Sequence, residues 1–383
     1  MNLKKGLVTI ILVLLVGVIT GQELVADRDF SEPEYQSVFK HPQAEAAYMA
    51  AYDHALETWP VPYETRYVPT SYGDTHMIIS GPKDGEPLIL IPGSMADATI
   101  WSGSIAAFAS TYRVYALDTM GDVGKNKMVE PVPDPAGAAE WLTDVLDALE
   151  IEKALMVGYS QGGFYTANYA LYKPERLKKI VLLAPAATLA PLGKDFVFGV
   201  MLPNSVAGLA SNVYEARLGG AYGMEMMRKY VYQVPQEELA GIIKDKDLAE
   251  LMQLFEEKSL GELEESIDSV IKGAIRNQFV SENRIDFEKF VLFSMAVKYK
   301  DPMSMKFGPY PLPDEALKMI KTPTLLLMGD HEILYEPDQA IKRAEELVEN
   351  IQTVLIPNTS HMLLWEYPDV VSSHILDFLS GDR

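Results

Sequence analysis

Residues 154–164 read Ala-Leu-Met-Val-Gly-Tyr-Ser-Gln-Gly-Gly-Phe, and their reading decides the fold. Ala154 to Val157 is an unbroken apolar run, which predicts a short strand buried on both faces. Gly158, Ser160 and Gly162 follow as Gly-x-Ser-x-Gly. Phe164 to Tyr172 carries a helical pattern, and Pro174 lies just beyond it. A serine on a sharp turn between a strand and a helix is the nucleophile-elbow pattern. The turn strains the backbone at Ser160, and side chains on its neighbours would clash across the bend, so glycines flank it. The strain holds the hydroxyl clear of the sheet, at the positive end of the following helix. Alone, the five-residue pattern is also an ordinary glycine turn of any α/β protein, so the flanking chain has to decide.

Working outward, the flanks alternate strand and helix. Ala44 to Trp59 predicts a helix with Tyr48, Tyr52 and Leu56 on one face, ended by Pro60 and Pro62. Glu64 to Val68 and His76 to Ser80 predict two strands about a turn at Tyr72-Gly73-Asp74. Leu88 to Ile91 predicts a buried strand, Ala98 to Ala109 a helix, Arg113 to Leu117 a strand, Ala138 to Leu149 a helix, and Lys179 to Leu183 a strand. The alternation stops near residue 188. Residues 189–320 have helical patterning and hold half of the chain's 18 methionines. Strands resume at Thr324 to Met328 and Thr353 to Ile356, with helices at Asp338 to Val348 and Asp369 to Leu379. The predicted fold class is α/β: a doubly wound, mostly parallel sheet, residues 61–188 and 321–383, with a helical cap at 189–320. The cap should leave and rejoin the sheet at the carboxyl ends of its strands, over the elbow. Flexible methionines there suit either a pocket for varied apolar groups or the cap's own packing.

Composition narrows the function. The chain has 383 residues, 48% of them hydrophobic, and a net charge of −21. So negative a surface repels nucleic acid, which sets nucleic-acid partners aside. Without cysteine, thiol catalysis, disulfides and thiolate metal sites are excluded. No HExxH, EF-hand or P-loop pattern occurs, so no metal or nucleotide cofactor is expected. Lys4 and Lys5 precede 17 uncharged residues from Gly6 to Gln22. Residues 1–22 therefore read as a signal peptide or membrane anchor and predict export, with the membrane touched only through residues 6–22. Residues 23–60 read as a polar linker and the leading helix. The sequence carries no signal for oligomeric state.

A serine needs a base within hydrogen-bond reach, and the base needs a carboxylate to fix its tautomer. On a sheet with this elbow the chain order is Ser, acid, His. Of the six histidines, His361 lies in the loop between the last strand and the last helix, at the end of the sheet where the elbow is. His41, His54, His76 and His374 are not expected to reach the carboxyl ends of the central strands. The loop Gly329-Asp330-His331-Glu332 offers two acids, and either Asp330 or Glu332 could orient His361. His331, between them, is expected by alternation to point away from the triad, as a structural residue. Two backbone N–H groups must hold the oxyanion. Gln161, directly after the serine, supplies one. The loop Pro92-Gly93-Ser94-Met95 supplies the other, through Ser94.

These motifs together resemble the α/β-hydrolases, from about Ala47 to the end, and are most similar to bacterial carboxylesterases of the naproxen-esterase type. The resemblance rests on Trp101, the run Tyr112 to Asp118, Gly121-Asp122, Trp141-Leu142, Leu149 to Lys153, and Pro174-Glu175-Arg176. It extends to His361 with Glu366 and Pro368. The loop Gly329-Asp330-His331-Glu332 resembles the family's Gly-Glu-His-Glu, whose second carboxylate is the triad acid, and so implies Glu332. Two departures stand out: Pro92 where the family has a histidine before the glycine, and Ser360 where it has a glycine before the catalytic histidine. The resemblance implies a cofactor-free serine esterase acting on a small-molecule ester. Other Ser-triad hydrolases (lipases, C–C bond hydrolases, peptidases) share the pattern, and the fold could also carry a non-catalytic binding protein.

Overall fold

The computed structural model describes residues 35–39, 42–94, 96–193 and 308–381. The predicted leader, residues 1–22, and the predicted cap apart from its two ends lie outside the described residues. Ser37–Arg383 makes one compact unit.

In chain order the elements are α1 (Pro42–Glu57), β1 (Tyr63–Thr70), β2 (Gly73–Ser80), β3 (Pro87–Ile91), a 3-10 turn (Ala98–Gly103), α2 (Ile105–Phe108), β4 (Arg113–Leu117) and β5 (Lys127–Met128). Then come α3 (Pro135–Ala148), β6 (Ala154–Tyr159), α4 (Gln161–Tyr172), β7 (Leu177–Leu183), α5 (Asp314–Met319) and β8 (Thr324–His331). The chain closes with α6 (Pro337–Leu347), β9 (Ile351–Ser360), α7 (Leu363–Glu366) and α8 (Pro368–Ser380).

The strands form one sheet in the order β1-β2-β4-β3-β6-β7-β8-β9, with β5 beside β2. The pairs from β4 through β9 are parallel, and β2 runs antiparallel to β1 and β4. Position in this order explains the side-chain patterns. Central β3 and β6 are buried on both faces, so they read as continuous apolar runs. Leu88, Ile89, Leu90 and Ile91 are wholly buried, and each contributes about 1.5–3 kcal/mol by leaving water. The edge strands β1 and β9 keep most of their residues in contact with solvent.

The elbow strand β6 lies between β3 and β7. This puts Ser160 beside the loops that follow both neighbours. Helix α1 lays Tyr48, Tyr52 and Leu56 into the same core, as its spacing predicts. The predicted helix over 98–109 is instead a 3-10 turn and a single α-turn, broken at Gly103-Ser104. Gly103 sits under Pro368, whose ring leaves a Cβ there only 3.2 Å. The two ends of the predicted cap meet: the Leu312 N–H donates to the Thr188 carbonyl at 3.0 Å. Arg343 ties them further, with Nη1 on the Leu189 carbonyl and Nη2 on that of Leu312. The intervening stretch therefore leaves after β7 and returns before β8, at neighbouring points.

Candidate active site

Ser160 has φ 53° and ψ −114°, a conformation that L-residues avoid. Its backbone is held from both sides. Its N–H donates to the Leu183 carbonyl at 2.8 Å, and its carbonyl accepts from Ala186 at 2.9 Å and Phe164 at 3.2 Å. Helix α4 begins directly at Gln161, three residues earlier than the sequence pattern predicts. The reason is steric. Glycine normally weakens a helix, but a Cβ on Gly162 would lie 2.2 Å from the Ile91 carbonyl oxygen, and one on Gly163 2.8 Å from Pro185. Gly158 is as crowded: a Cβ there would lie 2.1 Å from the Gly162 carbonyl oxygen. The glycines let the helix start immediately after the serine and lie close against β3 and β7.

His361 follows β9 directly, and its Nε2 lies 3.0 Å from Ser160 Oγ. Its Nδ1 lies 2.9 Å from Glu332 Oε2. The Glu332 side chain is fully buried, and a buried carboxylate needs hydrogen bonds to remain charged. It has them: Oε1 accepts the N–H groups of Ile333 at 2.8 Å and Leu334 at 2.9 Å. Because a carboxylate only accepts, Nδ1 carries the hydrogen, and Nε2 is left to accept from the serine.

The two acids therefore part. Asp330 turns to the backbone of β9, where its Oδ1 accepts the Thr359 N–H at 3.1 Å, and to His331 Nδ1 at 2.7 Å. Burial raises its pKa, but the Thr359 and Asn358 N–H groups and His331 outweigh that and hold it below the ordinary carboxylate value. His331 is exposed. Alternation along a strand would leave the two acids on one face; what separates them is that β8 ends at His331 and the chain turns, the Glu332 N–H donating to the Gly329 carbonyl at 3.2 Å.

Ser360, where the resembled family has glycine, adopts no left-handed conformation. Its N–H donates to buried Glu366 Oε2 at 2.7 Å, and its Oγ accepts the Met362 N–H at 3.1 Å. The serine thus staples the turn on which His361 rides.

The loop after β3 reaches the elbow through Gly93. A Cβ there would lie 3.0 Å from Ser160 Cβ and 3.0 Å from Tyr159 Cδ1. Ser94 is exposed beside this contact, and Gln161 is buried at the start of α4. Pro92, replacing a histidine, leaves this approach intact.

The expectation for His76 is overturned. It lies at the carboxyl end of β4, buried, with Nδ1 2.8 Å from Asp118 Oδ2. Because β2 is antiparallel to β4, Met77 pairs with Leu117, and the start of β2 lies where β4 ends. It does not join Ser160, from which β4 is separated by β3 in the sheet.

Sequence reasoning gave no site role to Tyr159, Tyr48, Asp97 or Asp118. Tyr159 Oη donates to the His361 carbonyl at 3.1 Å, and its ring lies 5.3 Å from the imidazole. Burial, then the Glu332 and Glu366 carboxylates, push its pKa well above the ordinary phenol value, so it stays a donor. Nothing in the residue types of such a contact marks it in a sequence.

Among the described residues no group of three His, Cys, Asp or Glu side chains could hold a metal ion, and no helix is long and apolar enough to cross a membrane.

Comparison with known proteins bears on the family and the fold. The family described as alpha/beta hydrolase fold matches residues 86–368. The chain is 30% identical over 335 residues to an uncharacterized carboxylesterase, nap, of Bacillus subtilis (strain 168), covering 88% of this chain and 93% of that one. It is 31% identical over 331 residues to carboxylesterase YbfK of the same organism, covering 86% and 93%. Among solved structures it is similar to naproxen esterase from Bacillus subtilis, with a TM-score of 0.66 and 28% identity, over 89% of this chain and 99% of that one.

Proposed function

This chain belongs to the α/β-hydrolase family and is a hydrolase; from that premise we propose that it is a serine carboxylic-ester hydrolase working through Ser160, His361 and Glu332. Ser160 Oγ attacks the ester carbonyl while His361 Nε2 takes its proton. Glu332 accepts from Nδ1 and stabilises the imidazolium. The backbone N–H groups of Gln161 and Ser94 hold the oxyanion. As the tetrahedral intermediate collapses, His361 returns the proton to the departing alcohol and an acyl-enzyme remains. Water then attacks the acyl carbon, giving up a proton to His361, and the carboxylic acid leaves with Ser160 restored.

The observation that carries this reading is the unbroken run of contacts, 3.0 Å from Ser160 Oγ to His361 and 2.9 Å from His361 to Glu332. Both lie within hydrogen-bond reach, the first as the proton-transfer contact and the second as the bond that orients the base. A binding protein on the same fold would have no use for all three groups in this order. The similarity to carboxylesterases supports an ester substrate, and we read it as a small to medium apolar one.

A panel of aryl esters of rising acyl length tests the proposal, with Ser160→Ala as control. The wild type should hydrolyse them, and a fluorophosphonate should label Ser160. Equal, background-level rates in both proteins would remove the esterase reading. We also propose export, with residues 6–22 as signal or anchor; the amino-terminal sequence of the mature protein from the cell envelope or medium tests it.

A further inference from the structure

The geometry points to Tyr48, in the helix ahead of the sheet, as a positioning residue that sets the oxyanion loop through its hydrogen bond to Asp97. The inference rests on the reading of the Ser94 N–H as an oxyanion donor.

Gly93 and Asp97 are the two feet of the loop that carries Ser94. One foot is Gly93, packed against Ser160 Cβ. The Ala96 N–H donates to the Gly93 carbonyl at 3.3 Å. The other foot is Asp97, only 1% exposed. Ser94 stands exposed between them, so the direction of its N–H depends on where the feet are fixed.

Asp97 is fixed by a set of buried bonds. Its Oδ1 accepts from Thr99 N at 2.8 Å and Thr99 Oγ1 at 2.5 Å. Its Oδ2 accepts from Tyr48 Oη at 2.5 Å. Ala98, next in the chain, donates its N–H to Asp118 Oδ1 at 2.8 Å. Asp118 is held in turn by His76 Nδ1 and the Lys125 N–H, each at 2.8 Å, and by Tyr52 Oη at 3.3 Å.

Two carboxylates in one buried pocket repel one another. Burial, then Asp118, push Asp97 up to about 6, while the hydrogen bonds from Thr99 and Tyr48 pull it back. Thr99 lies on the same turn as Asp97 and moves with it. Tyr48 comes from 49 residues upstream, so it alone of the two ties Asp97 to another element. It also lies outside residues 86–368, the part matched to the family.

The test uses the full chain and Tyr48→Phe, which keeps the ring and removes only the hydroxyl. Measured are kcat and KM on an aryl ester, the affinity of an aryl trifluoromethyl ketone that forms an oxyanion on Ser160, and the thermal midpoint. A small misplacement of a donor costs up to about 100-fold. Expected is a fall in kcat of about 10- to 100-fold, KM within about twofold, and ketone affinity weakened by the same factor as kcat. A merely structural tyrosine would lower the midpoint and leave kcat and ketone affinity unchanged in the folded fraction; that result overturns the inference. A wild type that neither turns over the ester nor binds the ketone overturns the esterase reading, and this inference with it.

Discussion

The hydroxyl of Tyr159 donates to the main-chain carbonyl of His361 at 3.1 Å, across 202 residues of sequence. The residue before the serine thereby grips the backbone of the proposed base. The same ring lies 5.3 Å from the imidazole, tilted by 33°, and packs edge-on to Trp365 at 5.8 Å. Ser160 and His361 sit on different loops, so their separation is set by how those loops are tied. This bond ties them directly.

Removing that hydroxyl should therefore loosen the pair without emptying the space. Tyr159→Phe is expected to lose about 1 kcal/mol of stability, the net worth of a hydrogen bond. Its kcat should drop by about 3- to 10-fold, since a loop shift misplaces the base. Urea unfolding and steady-state kinetics on one ester check both. A kcat equal to wild type would mean that the ring contact alone places His361.

The two acids of the β8 loop should separate by orders of magnitude. Glu332→Gln offers Nδ1 an amide instead of a carboxylate, and kcat should fall by about 10,000-fold. Asp330→Asn should stay within about threefold, because Asp330 contacts Thr359 and His331 rather than His361. Comparable losses in both variants would contradict this division of roles.

Gly93→Ala tests the closeness of the proposed oxyanion loop to the elbow. The new methyl would start 3.0 Å from Ser160 Cβ, so either the serine or the loop must yield. We expect kcat/KM to fall by about 100-fold, with a small change in the thermal midpoint because the site lies at the sheet's rim. Full activity would mean that the loop can retreat without disturbing its donor.

Asp97 gives a stability prediction with a definite sign. Its folded pKa, about 6, lies above the ordinary value of 3.8, through burial and then Asp118. Between these two pH values the folded state holds more proton than the unfolded state. Stability contributed by protonated Asp97 is thus present at low pH and lost as pH rises from about 4 to 6, on the order of 1–3 kcal/mol. Asp97→Asn cannot titrate, so the difference in unfolding free energy between the variant and wild type should shift in the variant's favour across that window. Urea unfolding at pH 4, 5, 6 and 7 measures it; a difference independent of pH would show that Asp97 keeps an ordinary pKa.

Much of the fold was legible because central strands differ in kind from edge strands. Leu88 to Ile91 and Ala154 to Val157 are apolar on both faces, and only a strand in the middle of a sheet has that need. Chain order and loop position then brought Ser160 and His361 forward. The choice between Asp330 and Glu332 was open from the residues, since both lie in one loop, and it turned on where β8 ends: Asp330 is still in the strand, whereas Glu332 lies in the turn back to Gly329. The misreading of His76 came from strand direction, which hydrophobic pattern does not encode. The start of the α4 helix was masked by Gly162 and Gly163, whose low helical propensity hides a need for close packing.

The sequence by itself determined the periodicity of the elements, the crowded glycines of the elbow and the identity of the groups able to do acyl chemistry. These are local matters, decided by the size and polarity of each residue against its chain neighbours. Tertiary structure decided which carboxylate meets the imidazole, that Tyr159 holds the His361 backbone, and that a tyrosine from the leading helix reaches Asp97. Such contacts join residues from 29 to 202 positions apart, and their partners become defined only when the sheet brings the strand ends together.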